Sequence, residues 1–225
     1  MKPEDLKPPF SRTDQRIVIH DRVWYVPERC AAPSDFVFPG WSHSDLFGNA
    51  NPVTVEYCSG NGAWIANKAI ENPMINWVAV ERKFERVRKI WSKVKNHALT
   101  NLIVVCGEAH HATERFIPSA SVSDVYINFP DPWPKNRHAK NRLIRLEFAK
   151  QLWRILKEKG AMTFVTDDPP YSEWVIEVMQ NHGGFHPEFP HPHYICDEGL
   201  HGTSYFDQLW RSKGRLIRYH RFNKV

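Results

Sequence analysis

From residue 53 onward, short apolar, β-branched runs alternate with longer stretches whose apolar positions recur at helical spacing. That is the pattern of parallel βα units. The short runs predict strands at 53–58, 77–80, 102–106, 122–128 and 161–166, and helices are predicted at 63–71, 84–96, 109–116, 140–159 and 171–182. In the second helix Phe84, Val87 and Trp91 form an apolar stripe within alternating charge, so one face packs and the other is solvated. Residues 1–16 are polar and Pro-rich and read as a flexible arm, and 17–50 mix short β-like runs with loops. Beyond His182 the chain is rich in His, Pro and aromatics before a 209–222 segment patterned for one or two further strands. There is no internal repeat and no low-complexity segment.

With 225 residues, the chain is long enough for a full core, and one domain over 17–225 is expected. No apolar stretch approaches the roughly 18 residues of a membrane span, so a soluble, cytoplasmic protein with no membrane partner is expected. Cys30, Cys58, Cys106 and Cys196 lie far apart without CxxC spacing, which predicts neither a disulfide framework nor a zinc site but reduced, mostly core cysteines. The histidines at 182, 186, 191, 193 and 201 sit in an irregular Pro-rich segment without ligand spacing, so no metal is expected. A net charge of +5 is a modest bias toward polyanions. Its distribution matters more. The cations at 82–95 fit a solvated helix face, those at 135–145 follow an acidic loop directly, and those at 211–221 are open to either role.

That acidic loop, 128–135, is the most specific feature. An apolar run delivers it, and Pro130, Pro132 and Pro134 fix φ and remove backbone donors, so Asp131 stands on a stiff turn. A proline-stiffened turn capping a core strand is the plain alternative. Trp133 and the following cations argue against it, because a carboxylate, a large aromatic and several Lys/Arg are what an enzyme acting on a nucleic-acid base needs.

The first strand runs into a turn with Gly60 and Gly62, which permit close backbone approach to a ligand. Alone this is weak. Glu81, 21 residues beyond Gly60, stands where nucleotide folds place a carboxylate on ribose hydroxyls, about 20 residues on. Glu108, after the third strand, adds a second carboxylate near where an adenine ring would lie. Each has an ordinary alternative: Glu81 as the partner of Arg82 or Lys83, Glu108 as a helix-entry charge. A nicotinamide cofactor is disfavoured because Ile65 occupies the third-glycine position; an adenosyl ligand without pyrophosphate, S-adenosyl-L-methionine, fits better.

The run 128–142 closely resembles the tRNA (guanine-N7-)-methyltransferase family, whose signature F-P-D-P-W-x-K-x-R-H-x-K-x-R is matched by Phe129, Pro130, Asp131, Pro132, Trp133, Lys135, Arg137, His138, Lys140 and Arg142. Further similar blocks are 52–62 with Glu56, Glu81 itself, Thr166-Asp167 with Pro170-Tyr171, and Ser204-Tyr205-Phe206-Asp207. The resemblance covers about residues 47–222. It implies a Rossmann-like, doubly wound α/β fold: a mostly parallel seven-stranded sheet with helices on both faces. It further implies methylation of a variable-loop guanine at N7 in tRNA, by a monomer or homodimer.

By the same resemblance, Glu56, Gly60, Gly62, Glu81 and Glu108 would contact S-adenosylmethionine, with Asp131 at the junction of cofactor and base as the catalytic residue. Lys135, Asp167 and Ser204, Tyr205, Phe206 and Asp207 would meet the substrate. Arg137, His138, Lys140 and Arg142 would lie against the RNA backbone. Four positions depart from the family pattern: Cys58 for the first loop glycine, Glu108 for aspartate, Ser204 for threonine and Asp207 for glutamate. Cys58 is the departure that puts a side chain near the methionine moiety.

Guanine N7 carries an in-plane lone pair, so it attacks a sulfonium methyl without first losing a proton. Alignment and a suitable electrostatic pocket then carry catalysis, not a strong base. Asp131 can accept hydrogen bonds from the guanine amino and imino groups, and an extruded base needs stacking, for which Trp133 and Phe129 are the local candidates. Two other readings stand beside this one: a non-catalytic RNA-binding module on the same fold, and a methyltransferase acting on another nucleic acid or a protein amide.

Overall fold

The computed structural model describes residues 1–8, 10–11, 13–29, 36–196, 199–202 and 204–225. They form two compact units, Met1–Pro118 and Ser119–Val225. Cys30 lies outside the described residues.

In the first unit the elements are β1 Val18–His20, β2 Val23–Tyr25, β3 Val53–Tyr57, α1 Ala63–Glu71, β4 Asn76–Glu81, α2 Phe84–Asn96, β5 Leu102–Cys106 and α3 Ala109–Phe116. Strands β3, β4 and β5 pair in parallel, β2 joins β5 in parallel, and β1 closes on β2 antiparallel. Every residue of β3, β4 and β5 is buried. Strands covered on both faces read as continuous apolar runs, which is why these three were visible in the sequence. Tyr57 pairs with Val80, and Glu81 with Cys106, so the three carboxyl ends lie side by side. The apolar stripe expected on α2 packs as Val87, Ile90, Trp91 and Val94.

Several described residues of the N-terminal segment make contacts within the first unit. Leu6 and Phe10 are buried, Phe10 stacks on Tyr25 at 3.9 Å, and Arg88 Nε and Ser92 Oγ of α2 each donate to a carbonyl, those of Pro3 and Met1, at 2.7 Å. Leu6 and Phe10 carry that packing, and the segment's average composition hides them.

The second unit contains β6 Val122–Asn128, a 3-10 turn Asn136–Asn141, α4 Leu146–Ile155, β7 Leu156–Thr166, α5 Pro169–His182, β8 Phe185–Pro187, α6 Tyr205–Ser212 and β9 Arg218–Lys224. Strands β6 and β7 are parallel; β9 runs antiparallel to both β7 and β8. The described residues thus carry nine strands where seven were expected, with the short β1, β2 and β8 drawn from segments that sequence periodicity did not place.

The helix expected at 140–159 is shorter at both ends. Its start is held off by the 3-10 turn, and its end becomes strand. Leu156 pairs with Val122 and the register then slips, so that Ala161 meets Asp124. Lys157, Glu158 and Lys159 form the resulting exposed bulge, with Lys159 at φ 63°. Gly160 follows because a Cβ there would lie 2.7 Å from the Ser123 carbonyl. Three charged residues in a row look like the solvated end of a helix, and only the pairing distinguishes them.

His220 of β9 is fully buried. One ring nitrogen, Nδ1, lies 3.0 Å from the His193 carbonyl. A carbonyl only accepts, so Nδ1 carries the proton. Nε2 then accepts from the Ser172 hydroxyl at 2.9 Å. Burial, with Arg218 nearby, pushes the imidazole pKa down from 6.5 to about 4. The unfolded chain therefore binds this proton more readily than the folded one, and the stability held by neutral His220 is full above pH 6.5 and lost as pH falls toward about 4. Denaturant unfolding across that window is expected to show the decline, with a shallower slope in H220Q; an identical slope in both chains would contradict it.

Candidate functional site

At the exit of β3 the chain turns through Cys58 (φ 60°), Gly60 (φ 59°) and Gly62 (φ 70°). The two glycines do different work. A Cβ on Gly62 would lie 2.5 Å from the Ile90 side chain, so this glycine lets α1 start against α2. A Cβ on Gly60 would meet only the Cys58 carbonyl, at 3.8 Å, leaving open space beside the backbone as a ligand cradle requires. Cys58 holds, with a side chain, a left-handed conformation that glycine adopts more readily, and its side chain is exposed.

Glu81, 6% exposed, braces this turn. Its Oε2 accepts from the Gly60 N–H at 3.0 Å and its Oε1 from the Lys83 N–H at 2.8 Å. Its ionic neighbour is Arg86, 3.7 Å away, not Arg82 or the Lys83 ammonium. A carboxylate offers about four lone-pair sites. Two backbone donors leave capacity for two hydroxyls, the number a ribose presents.

Glu108 behaves as the helix-entry charge: its two oxygens accept from the His110 and His111 N–H groups at 3.1 and 2.7 Å and cap α3. It also lines a cleft of about 830 Å³ beyond the ends of β4 and β5, whose walls include Arg82, Phe84, Gly107 and, from the N-terminal residues, Phe10 and Tyr25. Gly60 and Glu81 are not in these walls, so the cleft occupies the Arg82-to-Glu108 side of the crevice. Its size suits a small-molecule site, and its aromatic wall suits a purine. Glu56 is enclosed within β3, 2% exposed, and the Ser59 hydroxyl donates to its carbonyl at 3.0 Å. An open cradle, a carboxylate with spare acceptors and an aromatic-walled cleft together fit an adenosyl group.

In the second unit, the loop after β6 is strained where the sequence is most specific. Phe129 has φ 49° and Trp133 has φ 46°. Bulky residues in the left-handed region are outliers, on the order of 1–3 kcal/mol each, and persist only where surrounding structure over-determines them. At the upstream end, Phe129 N–H donates to the Val165 carbonyl at 2.9 Å, and its ring packs on the Val165, Ile217 and Tyr219 cluster. Of its two sequence readings, packing is the one the geometry supports. At the downstream end, Trp133 is half-buried and edge-on to His138 at 5.9 Å. Asp131 is exposed at the tip between them, and Lys135, Arg137 and Lys140 are exposed on and beside the 3-10 turn.

Two residues expected at the RNA are enclosed instead. Arg142 is 7% exposed, with its guanidinium over the rings of Tyr171 and Trp174. Asp207 is 2% exposed and accepts from Arg211 Nε at 2.8 Å and the Tyr219 hydroxyl at 2.6 Å. Burial, then Asp207, pushes that hydroxyl up to about 12. Ser204 caps α6, accepting from the Asp207 N–H at 3.1 Å. Within this segment Tyr205 is exposed and Phe206 half-buried, and these are the side chains open to a ligand. Asp167 pairs with Arg215, which itself lies 4.3 Å over the Trp210 ring. Arg218 sits over Tyr194, and Arg221 pairs with Asp124 and Glu188. The 211–221 cations, open to either role in the sequence, are therefore mostly tied into the fold.

Among the described residues no cluster of His, Cys, Asp or Glu could hold a metal ion, and no helix is long and apolar enough to cross a membrane. Of the described cysteines only Cys106 is buried; Cys58 and Cys196 are exposed, against the expectation of core positions.

Parallel strands whose carboxyl ends carry a glycine turn, a carboxylate and an aromatic-walled cleft have the architecture of a Rossmann-like methyltransferase. A "Putative methyltransferase" family model matches residues 50–218. The S-adenosylmethionine-dependent methyltransferase from Aquifex aeolicus has the same fold, with a TM-score of 0.55 at 13% identity over 79% of this chain and 85% of that one. The chain is 45% identical over 224 residues to the tRNA (guanine-N(7)-)-methyltransferase of Chlamydia felis (strain Fe/C-56), covering 100% of this chain and 98% of that protein. It is equally 45% identical over 217 residues to the one from Chlamydia muridarum (strain MoPn / Nigg), covering 96% and 95%. The chain belongs to the tRNA (guanine-N(7)-)-methyltransferase family, and its cofactor is S-adenosylmethionine.

Proposed function

We propose that this chain transfers the methyl group of S-adenosylmethionine to N7 of a guanine in tRNA, with the variable-loop guanine as the target implied by its sequence signature. The observation that carries this reading is identity of 45% along its whole length to the Chlamydia felis tRNA enzyme. A tRNA substrate is consistent with a cytoplasmic protein.

When bound, S-adenosylmethionine supplies a methyl group on a positively charged sulfur. The protein's share begins with Glu81, which would accept the two ribose hydroxyls on the lone pairs left free by Gly60 and Lys83. Gly60 would allow the backbone to approach the ligand, and Phe84, Tyr25 and Glu108 would bound the purine. Asp131 would accept from the amino and imino groups of guanine. That orients the ring and stabilises the positive charge that the purine acquires as N7 forms its new bond. Since N7 has no proton to lose, the loop supplies orientation and charge, not a general base. Trp133, half-buried and backed by His138, is the ring available to stack an extruded base.

Lys135, Arg137 and Lys140 are exposed and would meet phosphates. Binding to tRNA should then release counterions, and log affinity should fall steeply with log salt. Neutralising Arg137 and Lys140 together is expected to flatten that slope by about 2 × 0.7, if the contacts resemble those to single strands, and to leave cofactor affinity unchanged. Methylation lost at moderate salt should return at low salt. A double variant with the parent's affinity and slope would mean that the 3-10 turn is only a solvated helix approach and that RNA docks elsewhere.

A further inference from the structure

Arg142 shares the signature that contains Asp131, yet its placement is that of a brace. Its Nε–H donates to the Pro132 carbonyl at 2.9 Å, the residue directly after Asp131. Its guanidinium carbon lies 5.2 Å from the centroid of Tyr171 and 5.1 Å from that of Trp174, both within contact range for a cation over an aromatic face. The same two side chains use their polar edges on the neighbouring backbone: Trp174 Nε1 donates to the Ile144 carbonyl at 2.7 Å, and Ile144 N–H donates to the Tyr171 hydroxyl at 3.2 Å. Tyr171 belongs to the first turn of α5, where Asp168 accepts from its N–H at 2.8 Å. One buried cation therefore ties the Asp131 loop to the start of α5.

This arrangement explains how the loop keeps its strain. Phe129 is anchored upstream of Asp131 by the Val165 carbonyl, and Pro132 downstream by Arg142. Between these two anchors Pro130 and Pro132 leave Asp131 little torsional freedom. A solvated arginine would give none of this, and a lysine would fit poorly, because the guanidinium lies over two rings while its Nε–H donates to a carbonyl.

We propose that Arg142 is a positioning residue that sets the reach of Asp131 through the Pro132 carbonyl, and that it makes no contact with RNA. The proposal rests on the reading of Asp131 as the group that meets the guanine. It predicts that Arg142→Met lowers kcat for methyl transfer by about 10²-fold, the scale expected of a misplacement near 1 Å. Arg142→Lys should recover part of that loss. The KM for tRNA, the salt slope of tRNA binding and the affinity for S-adenosylmethionine should stay at parental values. Trp174→Leu, which removes one half-buried ring and leaves Arg142 in place, should give a smaller fall in kcat and guards against a misfolded Arg142 variant.

All are assayed below their unfolding temperatures beside Asp131→Ala. Parental kcat in both Arg142→Met and Trp174→Leu would overturn the proposal. So would a loss confined to KM with a salt slope reduced by about 0.7, which marks a phosphate contact. An active Asp131→Ala beside an impaired Arg142→Met would refute the role of Asp131 and the reach claim together. A silent Arg142→Met beside a dead Asp131→Ala would refute the brace alone.

Discussion

Asp131→Ala is expected to lower the single-turnover rate of methyl transfer to tRNA by on the order of 10³-fold, the loss typical of removing one preorganised group aimed at developing charge. The physical basis is the fixed geometry around it. Left-handed Phe129 and Trp133 flank the loop, two prolines bracket the carboxylate, and Val165 and Arg142 hold the ends. An exposed loop-tip carboxylate contributes little to the core, so thermal unfolding should be unchanged within about 0.5 kcal/mol. Asp131→Asn keeps the shape and one acceptor but not the charge, and should fall between the two. Turnover within a few-fold of the parent would remove Asp131 from the mechanism and leave the loop as a stiff cap on β6.

The second large effect concerns Glu81. Glu81→Ala should weaken S-adenosylmethionine binding by on the order of 1–3 kcal/mol, because charge-assisted hydrogen bonds to two hydroxyls would be lost from a buried site. That is a loss of roughly 5- to 150-fold in Kd by calorimetry. The carboxylate also holds the Gly60 and Lys83 N–H groups, so part of the loss would come from a loosened glycine turn. Arg86→Ala separates the contributions: it removes the ionic neighbour at 3.7 Å while leaving both backbone bonds, and cofactor affinity should barely change. If Glu81→Ala binds the cofactor as tightly as the parent, the carboxylate is a brace for the turn and nothing more.

What could be read from the chain divides along physical lines. Strands buried on both faces, β3, β4 and β5, were legible from continuous apolar runs, and α1, α2 and α3 from helical periodicity. The errors fall where tertiary contacts override local pattern. Residues 140–145 look helical, but Arg142 is drawn to the Pro132 carbonyl and Ile144 to Tyr171. The bulge at 157–159 looks like a helix end because its charges face solvent. Short edge strands such as Val18–His20 carry too few residues for any periodicity to appear.

The site shows the same division. Motif spacing located the Gly60 turn, Glu81 and the Asp131 loop. It did not reveal which charged residues stay in water. Arg142 and Asp207 look like surface residues in one dimension, and only the Tyr171 and Trp174 rings in one case and the Arg211 and Tyr219 partners in the other show them as internal. Phe10 and Tyr25, which line the cleft, carried no signal because their contact joins an arm to a three-residue strand.

Methylation of guanine N7 in tRNA by this chain has a direct test. Incubating the purified protein with labelled S-adenosylmethionine and bulk tRNA, then digesting the RNA and identifying the labelled nucleoside by mass, tests it directly. The expected product is 7-methylguanosine at a single guanine per responsive tRNA, absent with Asp131→Ala. Label in another nucleoside, label in protein, or cofactor bound without any transfer would contradict it.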